Sequence, residues 1–165
     1  MPQVKPIPMP GTLITQDPGD RIGETAEKML KAGARYGLND VVGGFHKGEY
    51  KCNKFVYDAL KRSGIDAPVY PGGEWPYQAG VWGNPKFKIP GWTIVDLADA
   101  KRGDVVAQRR GYRDATGHVG IVVGSGQTLS AHNEGLGIDG YGFESDPKWT
   151  EPVVVSRYVG GRSAP

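Results

Sequence analysis

Apolar residues recur at Cys52, Phe55, Val56, Ala59 and Leu60. These are positions i, i+3, i+4, i+7 and i+8, the buried stripe of an amphipathic helix, and Gly64 stands where a C′ glycine ends one. Upstream, Ile22, Ala26, Met29, Leu30 and Gly33 keep the same period. They predict a helix from Asp20, stopped by Gly37, whose apolar face packs on the first. The pattern then changes to that of strands. Arg102-Gly103-Asp104-Val105-Val106-Ala107 reads as a turn feeding a strand, and Gly117-His118-Val119-Gly120-Ile121-Val122-Val123-Gly124 as a β-branched second one. Gly124-Ser125-Gly126-Gln127 forms a tight turn into a strand from Thr128 to Asn133, with Ser130 and His132 on one face and Leu129 and Ala131 on the other. Residues 135 to 149 read as loop, and Val153 to Val159 as a last strand that closes the sheet. Helices followed by antiparallel strands predict an α+β fold.

Between and around these elements the chain is irregular. Glycine and proline number 26 and 13 of 165 residues, so many connections are turns. Residues 1–19, with Pro2, Pro6, Pro8, Pro10 and Pro18, predict an extended arm without the apolar core of a secretory signal. Residues 20–159 form one domain, and 160–165 a flexible tail. The stretch 66–92 carries Trp75, Tyr77 and Trp82 among prolines and predicts a long loop. Its aromatics either line a substrate groove or cap the core, and the residues alone leave both open.

Composition narrows the function classes. A net charge of +2 gives no argument for nucleic acid, although it suits approach to an anionic cell-wall polymer. No run approaches the roughly 20 apolar residues of a membrane helix. One cysteine excludes an internal disulfide. His46, His118 and His132 lack metal-ligand spacing, so neither metal nor cofactor is expected.

The chemistry centres on Cys52. At a helix N-terminus, unpaired N–H groups and the macrodipole favour the thiolate. Free cysteine is also a common core residue, and position alone leaves the two readings even. The downstream strand breaks the tie, because it opens with His118 and so supplies a base for the nucleophile. Ser130 or His132 then faces the imidazole and orients it, unless His132 is simply an exposed strand-end histidine.

The Cys-led helix, the Gly-Asp-Val-Val turn, the Gly-His-Val-Gly-Ile-Val-Val strand and the small-residue turn after it resemble the NlpC-type and CHAP-type cell-wall amidases, over residues 30 to 159. Gly43-Gly44 also sits eight and nine residues before Cys52, as in the NlpC-type pattern. Lys51 and Asn53 replace the Asp and Ser that flank the cysteine there, a departure that leans toward the CHAP-type branch or a diverged one. The family's oxyanion tyrosine aligns near Asp40, leaving Tyr36 and Tyr50 as candidates. Its third polar residue aligns twelve positions after His118, at Ser130. His132 ranks slightly ahead because an imidazole grips more firmly than a hydroxyl, with Asn133 behind both.

The resemblance implies a papain-like fold over the 20–159 catalytic domain and cleavage of an amide or peptide bond in peptidoglycan stem peptides. It implies that His118 takes the Cys52 proton and that the Cys52 backbone N–H stabilises the oxyanion, while Trp75, Tyr77 and Trp82 remain the substrate-binding candidates of the aromatic loop. No cofactor or metal is implied. Compact amidases of this kind resemble type VI secretion effectors or phage lysins, so the expected setting is an antibacterial toxin made in the cytoplasm, exported by a specialised system to the periplasm of target cells, and paired with a cognate immunity protein. Two other classes fit the same fold: a phage-tail or wall-binding module without catalysis, and an acyltransferase or thioesterase.

Overall fold

Asp17 starts the first helix, its carboxylate accepting the backbone N–H groups of Gly19 and Asp20 at 3.0 and 3.3 Å. The computed structural model describes residues 16–140 and 148–160, so most of the expected arm, the tail segment 161–165 and part of the expected 135–149 loop lie outside the described residues. Helix α1 spans Pro18–Lys31. It begins two residues before the expected Asp20, because Pro18 occupies the first turn, where its missing N–H is not needed.

Helix α1 also ends earlier than expected. Gly33, not Gly37, stops it, with φ at +71°. Gly33 N–H donates to the Leu30 carbonyl and Ala34 N–H to that of Met29, the two bonds of a Schellman motif. Helix α2, Cys52–Arg62, closes identically at Gly64, through Gly64 to Lys61 and Ile65 to Leu60. There the expected C′ glycine is found.

Strands β1 (Trp92–Val95), β2 (Val105–Arg109), β3 (Gly117–Gly124), β4 (Gln127–His132), β5 (Gly135–Asp139) and β6 (Val153–Tyr158) form one sheet in the order β1-β6-β2-β3-β4-β5. All neighbours are antiparallel. Two expectations change here. Strand β6 does not close the sheet from outside but sits between β1 and β2. Residues 135–139, expected as loop, form β5, because Asn133 and Glu134 make a two-residue turn and the glycine-rich segment pairs along β4 from His132↔Gly135 to Thr128↔Asp139.

The helices cover one face. Ile22, Ala26 and Met29 of α1 and Phe55, Val56, Ala59 and Leu60 of α2 pack with Val105, Ala107, Val119, Ile121, Leu129 and Ala131 of the sheet. Burying each large side chain contributes about 1.5–3 kcal/mol. The opposite face carries Val106, Val122 and Val155, against which Leu97 of a 3₁₀ turn, Leu97–Asp99, is packed.

The aromatic stretch holds a one-turn helix α3, Ala79–Trp82. Trp82 stacks edge-on against Trp92 at 5.0 Å and is buried, as is Tyr77 between Tyr70 and Phe87. No helix among the described residues is long and apolar enough to cross a membrane.

Asp104, of the Gly-Asp-Val-Val turn, is 2% exposed and ties the sheet together. Its carboxylate accepts the Lys101 N–H at 2.7 Å and two guanidinium bonds from Arg157 of β6, at 3.0 and 2.8 Å. Asp104→Ala removes all three bonds and lowers unfolding free energy by about 2–4 kcal/mol, the milder part of the range for breaking a buried pair because Arg157 keeps some solvent. Denaturant unfolding of the variant measures this, and a loss below about 0.5 kcal/mol would mean the pair contributes nothing net.

Candidate active site

Helix α2 has no side-chain cap, because its N-cap residue, Lys51, turns its ammonium the other way. Lys51 is 2% exposed, and its Nζ donates to the carbonyls of Glu49, His46 and Leu38 at 2.7, 2.9 and 3.3 Å. A buried cation is tolerable only with such partners. It folds the glycine-rich segment into a collar at the helix start, where Phe45 stacks on Trp75 at 4.6 Å. The connector of residues 38–50 is therefore fixed to the residue before the thiol.

Cys52 is 6% exposed, and the backbone N–H groups of Val119, Asn53 and Cys52 itself lie near enough to its sulfur to favour the charged form. The Val119 contact places the sulfur against the start of β3, one residue from His118. Burial pushes the Cys52 thiol up, and the three N–H groups that oppose it do not overcome that. The thiolate expected from the helix N-terminus is thus outweighed by loss of water. Burial also pushes His118 down, to about 4, with His132 and Arg110 adding to the shift. Loss of water thus works against charge on both the thiol and the imidazole.

His118, Ser130 and His132 share the sheet face turned from the helix-packed Val119, Leu129 and Ala131. Ser130 Oγ lies 3.0 Å from His118 Nε2 and 3.1 Å from His132 Nε2. His132 Nε2 lies in turn 3.2 Å from Asp139 Oδ2 on β5. Of the sequence's two candidates, Ser130 is the one in contact with His118 Nε2, and His132 stands one place further out. Gly120 makes this possible, since a Cβ there would come within 2.8 Å of Ser130 Cβ and 2.7 Å of the Thr128 methyl.

A cleft of about 430 Å³ is lined by Cys52, His118, His132, Asn133, Tyr50 and Arg110, among others. A second hollow of about 200 Å³ on the far side of Cys52 is lined by Trp75, Phe45, Asn53 and Gln78. Trp75 is therefore at the site, 45% exposed, whereas Tyr77 and Trp82 are not: large aromatic faces gained more by joining the core. Of the oxyanion candidates, Tyr50 lines both hollows. Tyr36 is buried, donating its hydroxyl to Asp58 at 2.7 Å.

Asp139, Arg110, Tyr112 and Glu134 also line the cleft and carried no motif. The alternation of Leu136 and Ile138 after a two-residue Asn-Glu turn is the signal that would have placed Asp139 on a strand beside His132. Among the described residues no cluster of His, Cys, Asp or Glu has the arrangement of a metal site.

A cysteine at a helix start against a strand that opens with histidine, on an α+β sheet, defines a papain-like cysteine hydrolase. Residues 37–157 match the model of the NlpC/P60 family, and the chain belongs to that family. It is a cysteine peptidase of a family that acts on peptidoglycan. No curated protein matches the sequence. Among solved structures, the chain is similar to one in the type VI native effector-immunity complex Tae3-Tai3 from Ralstonia pickettii (18% identity, TM-score 0.51, covering 87% of this chain and 99% of that one). It is also similar to an NlpC/P60 family protein from Bacillus cereus ATCC 10987 (19%, 0.52, 88% of this chain) and to NlpC1 from Trichomonas vaginalis (19%, 0.51, 86%). It spans only 41% and 44% of those two. Lys51 and Asn53 are thus departures within the NlpC-type branch.

The His118 ring, followed by NMR against pH, titrates near 4, against about 6.5 for an unperturbed histidine. The unfolded chain binds that proton at higher pH than the folded one, so stability falls as pH drops from about 6.5 towards 4. A midpoint above about 6 would show the ring to be hydrated.

Proposed function

We propose that the protein cleaves an amide or peptide bond in peptidoglycan stem peptides through Cys52, His118 and Ser130. The observation that carries this is that Cys52 and His118 line one cleft, with the Cys52 sulfur beside the backbone of Val119 and with Ser130 Oγ on His118 Nε2. Ser130 engages Nε2 of His118, so proton exchange with the thiol falls to Nδ1. Nδ1 takes the thiol proton as the sulfur attacks the substrate carbonyl carbon, and the backbone N–H of Cys52, with Tyr50 beside it, steadies the oxyanion. His118 returns the proton to the leaving amine as the C–N bond breaks. It then takes a proton from water, which attacks the thioester and frees the carboxylate product and the thiol. Trp75, on its Phe45 backing, offers an exposed aromatic face to the substrate beyond Cys52.

The finer setting, an antibacterial toxin exported to the periplasm of target cells and held in check by an immunity protein, rests on analogy with the Ralstonia effector-immunity complex.

Incubation with purified sacculi followed by mass spectrometry names the bond cut. Cys52→Ala and His118→Ala each lower the rate by several orders of magnitude, and the double variant is no worse than either, because nucleophile and base act as one unit. Ser130→Ala loses less, about 10- to 10⁴-fold. A Cys52→Ala protein within about tenfold of wild type ends the cysteine-hydrolase reading. An intact fold with no release of fragments by the wild type favours a wall-binding module, and acyl transfer to an added amine favours a transferase.

A further inference from the structure

Ser130 is wholly buried between two imidazoles, and its Oγ lies almost equally far from His118 Nε2 and His132 Nε2. A hydroxyl has one proton, so it donates in one direction only. If the proton points at His132 Nε2, the oxygen accepts Nε2–H of His118, and the lone pair of His118 is on Nδ1. If it points at His118 Nε2, that nitrogen is the acceptor and the ring proton sits on Nδ1. The first arrangement takes a proton from the thiol and the second does not. Because burial keeps His118 neutral, tautomer rather than charge decides its competence.

We propose that His132 is a positioning residue that sets the tautomer of His118 through the single proton of Ser130, and that Asp139 opposes it. This deepens the hydrolase reading and rests on it. His132 favours the competent arrangement when Nε2 presents its lone pair to Ser130. Asp139 Oδ2, 3.2 Å from the same nitrogen, favours a proton on Nε2 when ionised. That proton would leave Ser130 no acceptor on His132, and its hydroxyl would turn to His118. Burial pushes the Asp139 carboxyl up, and its half-exposed side chain can also swing to solvent, so the opposition is partial.

Two-bond ¹H–¹⁵N correlation spectra of the histidine-labelled full chain report which ring nitrogen carries the proton. The chain holds three histidines, so single variants assign them. In His132→Ala, His118 moves toward the Nδ1–H form and kcat on stem-peptide substrate falls about 10- to 10⁴-fold. His132→Gln, which brings an amide oxygen near the lost nitrogen, restores most of both. Asp139→Ala moves His118 toward Nε2–H. An unchanged His118 tautomer in His132→Ala overturns the proposal, as does a shift of His118 toward Nδ1–H in Asp139→Ala. The spectra do not depend on turnover, so these results are separable from the fate of Cys52→Ala. If Cys52→Ala stays active the hydrolase reading fails, whereas if it is dead and the tautomer does not move, only the positioning role fails.

Discussion

Everything at the site hangs on one packing contact, the stripe of α2 against β3 and β4. Phe55, Val56, Ala59 and Leu60 are wholly buried against Val119, Ile121 and Leu129. A core packed to this degree leaves little freedom for the helix to slide along or roll over the sheet. Its first residue is the thiol, so fixing the helix fixes the sulfur against the backbone of β3. Apolar side chains that never meet substrate thus set the register between nucleophile and base.

That packing has an electrostatic side. Drawing Cys52 into the core removes the water that a thiolate needs, and the N–H groups around the sulfur soften this without reversing it. The same exclusion of water holds His118 neutral. Where burial disfavours charge on both groups, the direction of hydrogen bonds counts for more than net charge. A tightly held string of polar side chains behind the imidazole is what such a site requires.

The α2 stripe and its Gly64 stop, the four expected strands and the His118–Ser130–His132 face were legible in the sequence because each follows a local period of 3.6 or 2. What escaped was decided by partners far along the chain. Gly33 and Gly37 look alike in sequence, and only the backbone bonds to Met29 and Leu30 make the first the stop. Strand β5 carries two glycines and becomes a strand only by pairing with β4. Burial of Tyr77 and Trp82, but not Trp75, depends on where α3 and the sheet meet. Asp139 carried no motif because its contact with His132 crosses a strand pair whose second member was read as loop.

Lys51 gives the cleft a mechanical asymmetry. Moving the collar of residues 38–50 away from the helix would strip three carbonyls from a buried ammonium at once, a cost no ordinary loop carries. The opposite rim, around Gly111 and Tyr112, is exposed and is held by contacts at the surface, Arg110 Nη1 donating to the Tyr112 hydroxyl at 2.9 Å and the Tyr112 ring lying 4.9 Å from that of Trp149. The two walls of the cleft thus differ in what it costs to displace them: on the collar side a buried charge loses its partners, and on the other side only contacts at the surface are lost.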